Sequence, residues 1–204
     1  VDGTGKPPYT GDVAVENGII IDASSCQRHE YDRIINADGL CLTPGFIDTH
    51  SHSDVQILLD PYVRPKIRQG ITTELLGQDG ISTAPLPARH IQVWRKNLAG
   101  LDGDSDELKW DWGNTEGYLK ELEKKGTATN VMYLVPHGNV RMEAIGLADR
   151  EPTNEELEKM CRILERELQA GAVGFSSGLI YIPCAYSQKK ELKGIYKKMF
   201  EKLK

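Results

Sequence analysis

The 204-residue chain has no apolar run of about 18 residues, the length a helix needs to cross the hydrocarbon of a bilayer, so a membrane-spanning helix is excluded. Its first residues, VDGTGKPPYTGD, lack the charged-then-apolar pattern of a secretory leader, and none is expected. Cysteine is sparse. Cys26, Cys41, Cys161 and Cys184 are scattered without a C-x-x-C pair, and they read as free thiols in a reducing cytoplasm rather than as a disulfide framework. Basic residues are outnumbered 25 to 30, and a net charge of −5 argues against a nucleic-acid face.

What the chain does have is alternation. Residues 1–43 carry short β-like pieces, DVAVENGIIID and RIINADGLCLTPG, with Asn17-Gly18 as a hairpin turn and Asp38-Gly39 as a second turn. This segment has too little apolar material to fold alone. From residue 44 onward apolar strands alternate with amphipathic helices. GFIDTHSH is a predicted strand, and residues 55–69 a predicted helix interrupted by Pro61 and Pro65. A strand follows at 70–77. The long connection 78–113 carries all three tryptophans and a predicted helix near 88–98, and connections of that length are often functional. The spacing then predicts a helix at 114–126 and a strand at 130–138. The next helix opens with the capping box Thr153/Glu156, followed by the strand AVGFSSGLIY and a Lys-rich amphipathic helix to the end.

Four βα units of this kind imply a parallel sheet. They amount to half of a (β/α)8 barrel, which typically takes about 250 residues. A small open doubly wound sheet is the other architecture the pattern allows. A half barrel leaves two unpaired edges, so self-association through them is expected.

In parallel α/β folds function gathers at the C-terminal ends of the strands. The four predicted ends read DTHSHSD, LLGQDGIS, LVPHGNVR and FSSGLIYIP. His50 and His52, one residue apart in an extended segment, project to one face and can share a metal ion. Asp48 on the same face would orient a histidine from behind. Asp79 lies in GQDG, where an Asp-Gly turn needing no metal is the simpler reading of spacing alone. Arg141 can grip a substrate carboxylate through a two-pronged contact. His137 can donate a hydrogen bond or bind metal, although both fit a solvated surface loop equally well. Ser176, Ser177 and Tyr181 are candidate substrate contacts. GFSSG matches a nucleophile elbow without the partners that would follow one. His29 and His90 read as surface residues, and the tryptophans as loop packing.

TPGFIDTHSHSD resembles the first-strand signature of the amidohydrolase superfamily. With VDGTGKPPYTGDVAVENGIIID, GITTELLGQDGIS, PHGNVR and GAVGFSSGLIYIP, residues 1 to about 187 resemble its N-acyl-D-amino-acid deacylase (D-aminoacylase) branch. The resemblance implies a metal-dependent (β/α)8 TIM barrel, of which residues 44–204 form the first half. Residues 1–43 would contribute part of a small β-sandwich. It also implies hydrolysis of an N-acyl-D-amino acid, with one or two divalent ions, usually Zn2+. His50 and His52 fall on the family's first-strand metal histidines. Asp79 falls where the best-known members carry a cysteine ligand within G-N-C-G, which raises it from a turn residue to a ligand. A carboxylate is harder than a thiolate, so this position leaves metal identity and number open. Ser177 and Tyr181 fall on the part of the fourth strand expected to face substrate, and His137 and Arg141 join them as substrate-binding candidates from the third strand end. No lysine on the fourth strand argues against a carbamate-bridged metal pair.

Two further histidine ligands and a catalytic aspartate of the family lie beyond the fourth strand, so no catalytic residue is expected in these 204 residues. The readings are a deacylase completed by further chain, a catalytically dead remnant acting as a binding module, or an amidohydrolase acting on dipeptides or cyclic amides. The expected partner is a small-molecule substrate, with no nucleic acid and no membrane.

Overall fold

The computed structural model describes residues 1–23 and 31–202; Cys26 and His29 lie outside them. The chain divides into two compact units, Val1–Gly45 and Phe46–Lys204. In the first, β1 (Ala14–Glu16) and β2 (Ile19–Asp22) form an antiparallel hairpin with Glu16 opposite Ile19. Asn17 and Gly18 both have positive φ, 51° and 78°, the turn whose twist matches that of the strands it joins. Ile19, Ile20, Ile34, Ile35 and Leu40 are exposed, so this unit buries little apolar surface of its own.

The second unit contains the expected α/β half barrel, a four-stranded parallel sheet in sequential order: β3 (Phe46–Asp48), β4 (Ile71–Leu76), β5 (Asn130–Pro136) and β6 (Gly174–Ser176). The predicted helix over 55–69 is instead two single turns, α1 (Gln56–Leu59) and α2 (Arg64–Ile67). Between them Val63 has φ 37°, a left-handed value for a β-branched residue, which ends any continuous helix. In the long connection, α3 (Ile91–Leu98) follows a 3₁₀ turn at Ala88–His90. The tryptophans pack inward as expected, with Trp94 Nε1 donating to Ser82 O at 2.7 Å and Trp112 Nε1 to Thr83 O at 2.8 Å.

α4 (Thr115–Lys125) is capped by the Asn114 side chain, which accepts from Gly117 N, and stops at Gly126. α5 (His137–Ile145) is a helix where a surface loop was one of the readings; it starts directly off β5. α6 (Asn154–Gln169) carries the predicted capping box in both directions, Thr153 Oγ1 accepting from Glu156 N and Glu156 Oε2 from Thr153 N. Met160, Ile163, Leu164 and Glu167 form its buried face. α7 (Lys189–Lys202) packs Ile195 and Met199 inward. The core joins Leu76, Tyr133, Val135 and Phe175 of the strands to Leu58, Trp94, Leu98, Tyr118, Met160 and Leu164. The predicted fourth strand is shorter than expected. The chain leaves the sheet after Ser176, and a Cβ on Gly178 would meet Asp79 O at 2.1 Å, so only glycine fits this approach of two strand-end loops. No described helix is long and apolar enough to cross a membrane.

Candidate metal centre

The segment after β3 keeps the strand's alternation although it is no longer paired as strand. Ser51 and Ser53 turn inward, and both hydroxyls donate to Glu74 Oε2 at 2.8 Å. Glu74 is a fully buried carboxylate of β4 that also accepts from Thr129 Oγ1 and lies 3.4 Å from Lys66 Nζ. With 51 and 53 fixed inward, His50 and His52 emerge on the opposite side. Their rings lie 5.4 Å apart. Asp48 does not orient an imidazole. It pairs with Lys66 and accepts the backbone N–H of His50 at 3.2 Å.

Asp79 comes to the same place from β4. Gly77 ends that strand with φ 77°, and a Cβ there would meet Leu134 O at 2.1 Å, so the turn is pressed onto β5. Asp79 itself is left-handed at φ 56°, a conformation aspartate tolerates better than most residues. Gln78 Nε2 donates to Thr49 O and Leu75 O, and Gly80 N to Ser176 Oγ at 3.0 Å, which ties the turn to the ends of β3, β4 and β6. Asp79 Oδ2 then stands 3.2 Å from His52 Nε2 and 3.4 Å from His50 Nε2. One donor atom from each of the three lies within 4.8 Å of the other two. Side-chain exposures are 58% for His50, 31% for Asp79 and 17% for His52, so the group opens to solvent on the His50 side.

Behind His52 lies a second acidic layer. His52 Nδ1 is 3.2 Å from Asp102 Oδ1, at ion-pair distance without hydrogen-bond alignment. Asp54 Oδ1 accepts Gly77 N at 2.9 Å and the Ser82 hydroxyl, while its Oδ2 has no hydrogen-bond partner among the described residues. Burial, with Asp102 adding to it, pushes Asp54 up to about 7. Burial also raises Asp102, against the opposing pull of His52. The contact with Asp102 holds His52 above the usual histidine range, although burial works the other way.

The remaining candidates separate. His137 and Arg141 are fully buried on α5 and turn toward α7, where Glu191 takes His137 Nε2 at 2.8 Å and pairs with the Arg141 guanidinium. Arg141 Nη2 donates to Ala148 O and Arg150 O, so its fork faces the protein interior and not an incoming carboxylate. His137 Nδ1 lies 3.3 Å from Ser177 Oγ, which is half-buried at the end of β6. Tyr181 packs partly buried against the core just beyond it. Ser176 is committed to Gly77 O and Gly80 N. Asp102 and Glu191 lie outside every motif and strand end that the sequence singles out. Glu191 did leave a signal, since it occupies the apolar stripe of α7 four residues before Ile195 and eight before Met199.

Residues 33–204 match the profile described as the amidohydrolase family. The chain is 35% identical over 192 residues to an N-acyl-D-aspartate deacylase of Alcaligenes xylosoxydans xylosoxydans, covering 94% of this chain and 37% of that protein. It is also 35% identical over 195 residues to an N-acyl-D-glutamate deacylase of the same organism, covering 96% and 38%. Among solved structures it is similar to the N-acyl-D-glutamate deacylase of Bordetella bronchiseptica complexed with zinc and a phosphonate inhibitor. That match has a TM-score of 0.86 and 35% identity, and covers 98% of this chain and 41% of that one. The chain thus spans less than two fifths of the length of these curated relatives.

Proposed function

This chain belongs to the amidohydrolase family, and from that premise we propose that it supplies metal ligands and part of the substrate pocket of a zinc-dependent N-acyl-D-amino-acid deacylase. The observation that carries the reading is the convergence of His50 Nε2, His52 Nε2 and Asp79 Oδ2 from two successive strand ends. The donor set fits a divalent ion. Two imidazoles and a carboxylate are common zinc donors, and their partial exposure leaves room for further ligands and for substrate. Zinc bound there would polarise the amide carbonyl and lower the pKa of a bound water. His50, His52 and Asp79 would hold the ion. Ser177 and Tyr181, at the end of β6, are the proposed substrate contacts, with His137 setting the Ser177 hydroxyl from behind. Arg141 belongs to the interior pairing with Glu191 and is not assigned a substrate role. The proton transfers of amide hydrolysis are assigned to no residue of this chain.

The proposed substrate class is an N-acyl-D-amino acid, supported by the names of the relatives. The proposed domain plan is residues 1–43 as part of a β-sandwich and 44–204 as the first half of the barrel. The uncovered isoleucines of the hairpin unit support the first part. The free thiols Cys41 and Cys184 support a cytoplasmic location.

Zinc content and hydrolysis of N-acetyl-D-amino acids test this together. The expected result is at least one zinc per chain, lost in the His50→Ala/His52→Ala variant. Hydrolysis, selective for the D-enantiomer, is expected once a polypeptide carrying the remaining barrel strands of a relative is added. A chain that takes up no zinc and stays inert in that mixture would be a remnant, and the proposal would fall.

The sheet edges make a separate prediction. β3 and β6 are the outer strands of the described sheet, and Phe46 and Ile47 of β3 are 57% and 58% exposed. Unpaired parallel edges with apolar side chains invite pairing. Sedimentation is expected to show concentration-dependent association of the chain alone, and a strict monomer at all concentrations would contradict it.

A further inference from the structure

We infer that Asp102, delivered by the long connection after β4, is the positioning residue of His52: its buried carboxylate accepts the Nδ1 proton, which leaves the Nε2 lone pair for an ion shared with Asp79 in place of the 3.2 Å hydrogen bond between Nε2 and Asp79 Oδ2. The inference rests on the metal-site reading above and adds a residue from outside the strand ends.

The geometry is specific to Asp102. Its side chain is fully buried, and among the described residues neither carboxylate oxygen has a hydrogen-bond partner; the same is true of His52 Nδ1. The two unsatisfied groups face each other at 3.2 Å. A buried carboxylate left unpaired is costly, and a hydrogen bond from Nδ1–H to Asp102 would satisfy both groups at once. The neighbouring Asp54 is less suited, because one of its oxygens is already held by Gly77 N and Ser82 Oγ.

Asp102 is also held rigidly. Leu101 N and Asp102 N both donate to Leu98 O, at 2.8 and 2.9 Å, closing the last turn of α3. That helix is pinned by fully buried Leu98 and by Trp94, whose indole N–H reaches Ser82 O. The 78–113 connection thereby places a carboxylate behind a metal-facing imidazole. A histidine that binds metal through one nitrogen needs the other protonated and held, and such outer partners are worth about 10–100-fold in metal affinity.

The test uses the whole chain with 15N-labelled histidine, at a pH well above the usual histidine range so that the ring is neutral. Long-range 1H–15N correlation is expected to show His52 as the Nδ1–H tautomer in the wild type and as a mixture or as Nε2–H in Asp102→Ala. Zinc affinity, measured by competition with a chromophoric chelator, is expected to fall about 10–100-fold in Asp102→Ala. It should fall less in Asp102→Asn, whose amide oxygen still accepts and whose shape guards against misfolding. An Nε2–H tautomer in the wild type would overturn the inference. So would unchanged tautomer and affinity in both variants, or loss of a whole zinc equivalent with the tautomer intact, which would make Asp102 a ligand. If the wild type binds no zinc, the metal reading fails, while the tautomer still decides the role of Asp102.

Discussion

Glu191→Ala is expected to destabilise the chain by about 3–5 kcal/mol in urea unfolding at matched protein concentration. Glu191 is the meeting point of α5 and α7: its two oxygens take His137 Nε2 and the Arg141 guanidinium, and Ser187 Oγ donates to it at 3.1 Å. All three principal side chains are buried. Truncating the acid leaves the Arg141 charge buried without a counter-ion, and that penalty exceeds anything the pair contributes as an attraction. Glu191→Gln keeps the hydrogen-bonding shape and is expected to lose less. The double variant Arg141→Met/Glu191→Leu removes both charges and is expected to recover most of the loss, since well-packed apolar replacements of buried pairs are often neutral. A single-variant loss within 0.5 kcal/mol of zero, about the effect of a surface change, would show that the pair is not the clamp described.

The same group sets an acid limit. Burial works to raise the Glu191 carboxyl, but His137 and then Arg141 outweigh it and hold it below the usual range. Its folded pKa is therefore lower than its unfolded one. The stability it contributes is complete above the ordinary carboxylate range and is lost as pH falls through the depressed folded value. Glu191→Gln should flatten that part of the pH profile.

The order of elements was legible in the sequence because the signals are local. Asn17-Gly18, the Thr153/Glu156 box, the Gly126 stop and the stripe of α6 act within a few residues, and the structure contains each of them. α5 was illegible for a physical reason. Its residues 137 to 142 are all buried, so HGNVRMEAI shows no polar face and no helical period. The paired projection of His50 and His52 was legible from H-x-H, because alternation survives past β3 once Ser51 and Ser53 are fixed on Glu74. Asp79 was a turn residue by spacing and a ligand only by resemblance. Asp102 lies fifty residues from His52 in a connection without periodicity, and nothing short of the fold brings them together. The Asp48 expectation failed because Lys66 of α2, which the pattern did not aim at the strand end, captures that carboxylate.

Asp79 carries the remaining large effect, and its variants separate ligand from turn. Asp79→Asn is expected to weaken zinc binding by more than about 100-fold, since even outer partners of metal ligands are worth 10–100-fold. Asparagine tolerates the left-handed backbone that Asp79 adopts, so the turn against Ser176 and Gly178 should survive and the loss can be read as ligand chemistry. Asp79→Cys asks the complementary question. A thiolate is a softer donor than a carboxylate, so cadmium and zinc should gain relative to manganese and magnesium. The left-handed conformation costs a non-glycine residue such as cysteine roughly 1–2 kcal/mol, so this variant is expected to be less stable yet more selective. Competition titrations against a common chelator would read both variants on one scale. Should Asp79→Asn bind zinc as tightly as the wild type, Asp79 would be the Asp-Gly turn that its spacing first suggests. His50 and His52 would then hold the ion without it, and the proposed donor set would have to be drawn again from the histidines outward.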